Sequence, residues 1–470
     1  MAPSYEGRLF INNEYVASKS NERITIKNPK DASVVTEDVH VAGVEDVDLA
    51  VEAAATAFKT WRNTPPQERA RLMNNLADIL EKNVEKLSKL EAISMGMPIQ
   101  LGQMLASGWP AWWRYYAGWT DKIAGEVYPD DGDGIYKLIR YDPIGVCAVW
   151  KMAPAIAAGN TFIFKASEKS PLAALALGEM VKEASFPPGV INFISGGAAT
   201  GHALASHMKI AKISFTGSAS TGKKVQIAAA TSNLKRCTLE LGGKSPALVF
   251  EDADMETTLA YMSQWFLLNS GQVCCATTRL LVQDTLADKF IEQLKARFEG
   301  ATAAYGDPTE PTTQVGPLVD EIQYDRVMDF LEQGKKDGVK VLAGGDRHGD
   351  KGFYVQPTIL MDPPKDSSVY KDEIFGPILA IKTFKTEEEA IELANDTTYG
   401  LAACVFTNDI KRALRVSGEL EAGTVAVNKT VLPVMVTPFG GKKQSGNGRE
   451  GGREGIMQYL ESKSIHISMQ

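Results

Sequence analysis

The chain has 470 residues, of which 44% are hydrophobic and 23% are charged, and its net charge is −8. This length predicts about two or three domains with a stable core, and the scattered Lys and Arg residues exclude a basic face for nucleic acid or anionic lipid. With only five cysteines we expect no disulfide framework, and with no secretory signal or membrane-spanning run we expect a cytoplasmic protein.

The first well-marked element is a helix in 64–87, TPPQERARLMNNLADILEKNVEKL. Thr64 and Gln67 have the spacing of a capping box, and leucines recur on one helical face. We therefore predict one continuous helix whose leucine face packs on the core. These leucines are Leu72, Leu76, Leu80 and Leu87.

Two β-rich segments, 132–143 and 464–469, lie outside any regular alternation of strands and helices. Residues 464–469 alternate with period two, as a strand does. They form either an edge strand paired within the chain or a strand that completes the sheet of a neighbouring subunit. The spacing alone leaves these two interpretations level.

From 144 to 250, short β-rich runs alternate with helical or glycine-rich stretches, which predicts a parallel sheet covered by helices. A second alternation runs from 279 to 427, with helices predicted at 287–298 and 387–395. We therefore expect two α/β domains. The strands predicted in the first alternation are 145–149, 161–165, 190–194, 213–216, 237–241 and 247–250.

The stretch IGVCAVWKMAPAIAAGN, residues 144–160, joins the first of these strands to a helix predicted at 152–158. Only Trp150 and Lys151 lie between strand and helix. In a parallel sheet, the loop at this end of a strand faces the ligand crevice. This connection is therefore unusually short at the place where a site is expected.

Cys274 and Cys275 are the strongest candidate nucleophiles, because they follow a Gly-Gln pair and precede a strand. The thiolate is the reactive form of cysteine, and backbone N–H groups at such a turn lower the pKa of a thiol. The alternative is that both are small buried hydrophobic residues, the commoner role of a free cysteine.

Glu240 lies in an otherwise apolar strand directly before Gly242-Gly243. Burial raises the pKa of a carboxyl group towards that of a general base. The alternative, slightly favoured by the residues alone, is a structural Glu240 in an ion pair with Lys244. A cysteine and a glutamate on adjacent loops together suggest acyl chemistry through a thioester.

Two further segments have features of nucleotide-binding turns. In ISFTGSASTGKKV, Gly217 and Gly222 let the backbone approach a ligand at a helix N-terminus, where phosphate binds. In IFKASEKSP, Lys165 and Glu168 follow a strand, where an acidic residue binds ribose hydroxyls in dinucleotide folds. A tight structural turn and a solvated loop are the respective alternatives. The five histidines lack zinc-site spacing, so we predict no metal.

Together these segments resemble the aldehyde dehydrogenase superfamily over essentially the whole chain. LELGGKSP is similar to its glutamate signature and GQVCCATTR to its cysteine signature, in the family's order and separation. FTGSASTG resembles the cofactor turn, and KASEKSP the ribose-binding segment. DEIFGPIL and PFGGKKQSGNGRE also match.

The resemblance implies NAD-dependent oxidation of an aldehyde to a carboxylic acid through a cysteine thiohemiacetal and thioester. Cys274 then corresponds to the nucleophile and Glu240 to the general base. A housekeeping role and a step in a specialised biosynthetic pathway are both open. The presence of Glu168 favours NAD over NADP. The implied cofactor contacts are Lys165 and Glu168 at the adenosine ribose, Gly217, Ser218 and Gly222 at the pyrophosphate, and Glu373 and Phe375 at the nicotinamide ribose and ring.

The implied fold is α/β, with a Rossmann-type NAD-binding domain, an α/β catalytic domain and a β oligomerisation arm. The arm favours the intersubunit interpretation of the terminal strand, and thus a homodimer or homotetramer. The expected bounds are 1–124 and 143–241 for the NAD-binding domain, 242–441 for the catalytic domain, and 125–142 with 455–470 for the arm.

One part of the family pattern is missing. In the family, the strand matching 145–149 precedes a loop with a Pro-Trp-Asn motif, whose asparagine donates one of two hydrogen bonds to the oxyanion. Here Val149 runs directly into Trp150 and Lys151. Loss of one such donor lowers a rate by about a hundred- to thousandfold. If the gap is real and not an error in the coding prediction, it predicts a weak enzyme or none. The alternatives are a catalytically inactive oligomeric binding or regulatory protein and a thiol esterase that uses Cys274 and Glu240.

Overall fold

A computed structural model of the chain describes residues 5–148 and 151–469. The described residues form an eight-stranded, a seven-stranded, a three-stranded and a two-stranded sheet. The strands are β1 (Leu9–Ile11), β2 (Glu14–Val16), β3 (Arg23–Lys27), β4 (Val34–His40), β5 (Glu126–Tyr128), β6 (Ile135–Pro143), β7 (Val146–Ala148), β8 (Thr161–Ala166), β9 (Ile191–Ser195), β10 (Ile210–Thr216), β11 (Arg236–Glu240), β12 (Pro246–Val249), β13 (Arg279–Gln283), β14 (Lys340–Ala343), β15 (Thr358–Met361), β16 (Ile378–Phe384), β17 (Ala402–Phe406), β18 (Thr424–Val427), β19 (Gly446–Asn447) and β20 (Leu460–Ser468).

Helices cover the two larger sheets. They are α1 (Val44–Trp61), α2 (Pro66–Lys82), α3 (Val84–Met95), α4 (Ile99–Ala117), α5 (Met152–Ala157), α6 (Leu172–Glu183), α7 (Ala198–Ser206), α8 (Ala219–Thr231), α9 (Met255–Ala260), α10 (Asp284–Gly300), α11 (Glu321–Lys336), α12 (Ser368–Lys371), α13 (Glu387–Asn395), α14 (Ile410–Glu419) and α15 (Gly452–Met457). None of the helices in the described ranges is long and apolar enough to cross a membrane.

The eight-stranded sheet has the order β19-β11-β10-β7-β8-β9-β1-β2. Strands β11, β10, β7, β8 and β9 run parallel, so their carboxyl ends share one edge. In β8, Phe162 and Phe164 pack with the apolar faces of α2 and α4, whereas Ile163 packs with α1 and α8 on the opposite face. A sheet buried on both faces explains why these strands are apolar throughout. The predicted strands between 145 and 241 are found here with small shifts at their ends.

The seven-stranded sheet has the order β14-β15-β16-β13-β12-β17-β18. All neighbouring pairs are parallel except β14 with β15. The strand predicted at 247–250 is β12 and belongs to this second sheet, so the chain crosses from one sheet to the other between Glu240 and Pro246. The predicted helices at 287–298 and 387–395 are α10 and α13. The α/β class is confirmed.

The two β-rich segments outside this pattern pair with each other in the three-stranded sheet, ordered β20-β6-β5. The pairing of β20 with β6 is antiparallel, with Ile465 opposite Leu138. Pairing within the chain is thus confirmed, and β20 forms one edge of this sheet. An edge strand retains backbone groups that another strand can pair with.

The helix predicted in 64–87 is wrong in two details. It is interrupted at Asn83, whose side chain donates to the carbonyl of Ile79 (2.8 Å), a local bond that competes with the helical ladder. Pro65, not Thr64, precedes the first helical residue, and no side chain caps it. Pro65 itself precedes Pro66 and is therefore extended (φ −52°, ψ 142°), so the helix begins one residue later than predicted. The four leucines are buried as predicted.

The short connection in 144–160 is described up to Ala148 and again from Lys151. Val149 and Trp150, where the family loop is missing, lie outside the described residues. Asn160 ties the flanking elements together, because it accepts from the N–H of Gly145 (2.9 Å) and donates to the carbonyls of Ala155 (3.2 Å) and Tyr459 (2.9 Å).

Candidate active site

Glu240 ends β11 at the edge where the carboxyl ends of the parallel strands lie. It is only 6% exposed, and its Oε2 has no hydrogen-bond partner among the described residues. The pKa of Glu240 is raised to about 8, mainly by burial; the charges of Glu450 and Cys274 contribute to this rise, and those of Lys151 and Arg449 oppose it. A buried carboxyl group with a free oxygen and such a pKa is suited to remove a proton.

The interpretation of Glu240 as an ion-pair partner of Lys244 is wrong. The ammonium of Lys244 donates instead to the carbonyls of Val369 (2.8 Å) and Asp372 (2.6 Å). The Glu240 carboxylate makes no ion pair within the described parts of the chain.

The charges that face Glu240 come from distant parts of the chain. Lys151 forms an ion pair with Glu450 (3.0 Å), and both side chains are largely buried. The hydroxyl of Tyr459 donates to the carbonyl of Lys151 (3.4 Å), which ties this pair to the residue before β20. Sequence analysis missed both charges. The only signal was that Lys151 follows a central strand and that Glu450 ends one of the family segments.

Cys274 is half-buried in the loop before β13, and Cys275 is buried. Hydrogen bonding from the Cys275 side chain and backbone, with the charge of Lys151, lowers the pKa of Cys274 in spite of its burial. The Cys275 thiol also lies 3.4 Å from the carbonyl of Val431, so two acceptors compete for its proton. Cys274 is therefore the more readily ionised of the two thiols.

A strained turn leads to the two cysteines. Asn269, Ser270 and Gly271 have φ values of 50°, 56° and 72°, all left-handed, which is costly for the first two. Ser270 donates to the carbonyl of Gly316 (2.5 Å), and the Gln272 amide donates to the carbonyl of Asn269 (3.0 Å). These bonds hold the turn in place. No feature of the sequence indicated it beyond the glycine.

The Glu373 carboxylate and the Cys274 carbonyl both lie against the backbone of Gly242 and Gly243. The N–H of Gly243 donates to Oε1 of Glu373 (3.2 Å). A Cβ at Gly243 would lie 2.5 Å from the carbonyl oxygen of Cys274, and one at Gly242 would lie 2.0 Å from Oε2 of Glu373. A side chain at Gly243 would therefore collide with backbone, and one at Gly242 would displace the Glu373 carboxylate. Burial raises the pKa of Glu373.

The backbone around Glu373 and Phe375 is held by side chains of α11. Arg326 donates to the carbonyl of Glu373 (2.6 Å), and Gln323 donates to the carbonyl of Phe375 (2.9 Å). Phe375 has a φ of 62°, an unusual conformation for a bulky residue. This constraint fixes where the segment faces Gly242-Gly243.

The remaining predicted residues lie along the same edge of the eight-stranded sheet. Lys165, in β8, donates to the carbonyls of Ala166 (2.8 Å) and Gly196 (2.5 Å), and its Nζ lies 3.7 Å from the half-exposed Glu168. Ser218 caps α8 by accepting from the N–H of Thr221 (3.3 Å).

Two glycines bring the turn before α8 close to Glu240. The N–H of Gly217 donates to the backbone carbonyl of Glu240 (3.1 Å). A Cβ at Gly222 would lie 2.6 Å from the side chain of Leu241, so glycine lets α8 approach the sheet. The predicted phosphate turn and the predicted base are therefore neighbours.

One acidic group could in principle hold a cation. Asp130, Asp131 and Asp133 are exposed near β6, with carboxylate oxygens within 4.8 Å of one another. Lys137 already pairs with Asp131 (3.0 Å) and Asp133 (2.7 Å). This loop joins β5 to β6 in the three-stranded sheet and does not belong to the strand ends of the eight-stranded sheet that carry the candidate residues.

Comparison with known proteins gives one family. The model of the aldehyde dehydrogenase family matches residues 15–465. An aldehyde dehydrogenase of Davidiella tassiana is 44% identical over 475 residues, which cover 98% of this chain and 95% of that protein. Human retinal dehydrogenase 2 is 42% identical, with coverage of 98% and 92%.

The solved structures agree. An indole-3-acetaldehyde dehydrogenase of P. syringae, determined in complex with NAD⁺ and IAA, superposes with a TM-score of 0.96. It is 37% identical, and the superposition covers 99% of this chain and 97% of that one.

Proposed function

This chain belongs to the aldehyde dehydrogenase family, and from that premise we propose that Cys274 and Glu240 carry out its chemistry. It is an NAD-dependent aldehyde dehydrogenase at the general level of the family. The observation that most supports the assignment of residues is the buried Glu240, whose free oxygen and raised pKa accompany a Cys274 of lowered pKa.

In the proposed mechanism, the Cys274 thiolate adds to the carbonyl carbon of the aldehyde, and its own backbone N–H donates to the resulting oxyanion. Bound NAD supplies the acceptor for the hydride that leaves this carbon. Cys274 is then a thioester. Glu240 takes a proton from the water that attacks the thioester carbon, the C–S bond breaks, and a carboxylic acid and the thiolate are released.

The residues along the strand ends fit NAD. Ser218 lies at the exposed N-terminus of the 13-residue helix α8, where a pyrophosphate is stabilised. Lys165 and the half-exposed Glu168 offer a donor and an acceptor suited to ribose hydroxyls. On the other side of the site, Glu373 offers a carboxylate and Phe375 a ring. We propose that these residues, with Gly217 and Gly222, bind the cofactor.

The missing asparagine lowers the rate but leaves catalysis possible. One oxyanion donor contributes about 3–4 kcal/mol. Enzymes lower barriers by about 8–23 kcal/mol in all. The Cys274 N–H, the nucleophile and the base remain, so we propose a slow enzyme in preference to an inactive binding protein.

The direct test is a single turnover with purified protein in excess over aldehyde, at saturating NAD. A panel of aliphatic and aromatic aldehydes is mixed with the enzyme, and the absorbance of NADH is followed. We expect a stoichiometric NADH signal from at least one of them. A folded, NAD-binding protein that gives no NADH would favour the inactive homologue. Ester hydrolysis without NADH would favour the thiol esterase.

We further propose three structural units: an NAD-binding domain of 1–124 with 143–241, a catalytic domain of 242–441, and an arm of 125–142 with 455–470. We propose that this arm assembles the protein into a homodimer or homotetramer. The three-stranded sheet leaves apolar side chains exposed on one face, namely Val127, Tyr136 and Ile467. An apolar face beside an edge strand is typical of a pairing surface.

Replacing Ile467 by Asp is expected to lower the mass of the assembly, because a carboxylate would be buried at the interface without a partner. Light scattering after size exclusion measures the mass. Leu414→Asp is the matched control, since Leu414 is also exposed but lies on α14. A wild-type monomer, or an unchanged mass for Ile467→Asp, would contradict the proposal.

We also propose that the protein is cytoplasmic.

A further inference from the structure

Lys244 is a buried lysine without a carboxylate partner. Its side chain is 1% exposed, and no carboxylate of the described residues lies at ion-pair distance from its ammonium. Burial, with the nearby charge of Arg279, lowers the pKa of Lys244 to about 7. A buried ammonium is costly unless its hydrogen bonds are satisfied. Because burial of this ammonium group costs free energy, we looked for what its two hydrogen bonds hold in place.

The two acceptors of Lys244 belong to one short segment. They are the carbonyls of Val369, in α12, and Asp372, the residue directly before Glu373. Helix α12 has only four residues; its Ser368 carbonyl accepts from the N–H of Asp372 (2.9 Å), whereas its Val369 carbonyl accepts from the Lys244 ammonium. The ammonium therefore fixes the backbone that leads into Glu373.

The residue before Lys244 fixes the side chain of the same glutamate. The Gly243 N–H donates to the Glu373 carboxylate (3.2 Å), and Gly243 also touches the carbonyl of Cys274. Lys244 thus holds the backbone that leads into Glu373, and Gly243 holds the Glu373 side chain. Because Gly243 also lies against Cys274, the two residues fix Glu373 relative to the nucleophile. Arg279 donates to the Lys244 carbonyl (2.9 Å) and holds these residues in turn.

We propose that Lys244 is a positioning residue for the cofactor, which fixes the 369–373 segment so that the Glu373 carboxylate meets the nicotinamide ribose hydroxyls beside Cys274. This rests on the proposed role of Glu373 in NAD binding. The positive charge of Lys244 also favours the ionised Glu373, which accepts hydrogen bonds from hydroxyl groups.

The test compares three substitutions that separate the charge from the hydrogen bonds. Lys244→Met removes both, Lys244→Gln keeps N–H donors without the charge, and Lys244→Arg keeps both. The matched control is Lys235→Met, because Lys235 is also buried and donates to the carbonyl of Ala205 (2.6 Å), outside the site. Calorimetric titration gives the Kd for NAD, and thermal unfolding reports folding. Hydrolysis of p-nitrophenyl acetate without NAD reports Cys274 and Glu240.

We expect Lys244→Met to raise the Kd for NAD at least about tenfold, Lys244→Gln to raise it by less, and Lys244→Arg to stay close to the wild type; a tenfold change corresponds to about 1.4 kcal/mol. Ester hydrolysis should stay within about twofold in the folded variants, since it does not need the cofactor. Lys235→Met should leave the Kd unchanged.

An unchanged Kd in a folded Lys244→Met protein would overturn the proposal, as would a parallel fall of NAD binding and ester hydrolysis. If Lys244→Met does not fold, an unchanged Kd in Lys244→Gln overturns it instead. These readouts do not depend on hydride transfer. A wild type that binds NAD in a Lys244-dependent way but never forms NADH would refute the proposed function alone, and a wild type that does not bind NAD would refute both.

Discussion

Cys274→Ala protein is expected to form no NADH above background from any aldehyde. Without the sulfur no thiohemiacetal forms, and the thiohemiacetal carbon is the group that donates the hydride in the proposed mechanism. Removal of a catalytic nucleophile costs on the order of 10⁶-fold in a well-studied hydrolase, and we expect a loss of at least about 10⁴-fold here. Single-turnover NADH absorbance, with the wild type measured in parallel, gives the ratio.

Cys237→Ala is the control for this loss. Cys237 is a half-buried cysteine of β11, like Cys274 in exposure, and makes no contact with the proposed reacting groups. It should retain the wild-type rate, and Cys274→Ala should retain the wild-type Kd for NAD. NADH formation by Cys274→Ala at the wild-type rate would show that another group carries the reaction.

Glu240→Gln is expected to give one equivalent of NADH per active site and then nearly stop. Hydride transfer needs Cys274, whereas release of the acid needs a base for the attacking water. General-base catalysis contributes about 10²- to 10⁴-fold, so steady-state turnover should fall by that factor after a normal burst. Rapid mixing resolves the burst, and acid quenching with mass spectrometry detects the acyl group retained on Cys274.

The matched control is Asp46→Asn, which also neutralises a buried carboxylate. Asp46 accepts from the backbone N–H groups of Lys19 (2.9 Å) and Gly43 (2.9 Å) near α1, so its loss lowers stability and not the rate of deacylation. A Glu240→Gln protein with wild-type turnover would remove Glu240 from the mechanism.

The pH dependence of turnover follows from the same carboxyl group. The pKa of Glu240 is raised to about 8, and only its ionised form accepts a proton. Where deacylation limits turnover, kcat should rise about tenfold per pH unit below about pH 8 and level off above it. Lys151 and Glu450 face the same carboxylate, so Glu450→Gln should shift the midpoint to lower pH by removing a negative charge. A flat wild-type profile below pH 8 would contradict the assignment.

Much of the fold followed from local patterns. The alternation of apolar strands with helices in 144–250 and 279–427 predicted parallel sheets, because buried parallel strands need an apolar sequence and a helical crossover. The break at Asn83 was not predicted, since a single side-chain hydrogen bond decides it. The assignment of β12 to the second sheet was also missed, because a strand sequence does not encode which neighbour it pairs with.

The candidate residues were found for a different reason. Cys274, Glu240, Lys165, Glu168, Gly217, Ser218, Gly222, Glu373 and Phe375 stand in ordered segments that resemble one family, and the match of the family over 15–465 confirms the resemblance. Their roles stay predictions. The missing loop after Val149 is a gap in the sequence pattern, and the single-turnover measurement tests the lowered rate that we expect from it.

The sequence by itself determined the class of fold and the family, and it named the candidate residues. Only the tertiary structure decided which charged groups surround these residues. Lys244 donates to two backbone carbonyls and does not pair with Glu240, and Lys151 forms an ion pair with Glu450 near Glu240. Patterns of period two or 3.6 report how one segment meets the core, and nothing in them fixes the partner of a buried charge. Such partners lie about 125 to 300 positions away in the chain, and folding alone brings them within hydrogen-bond distance.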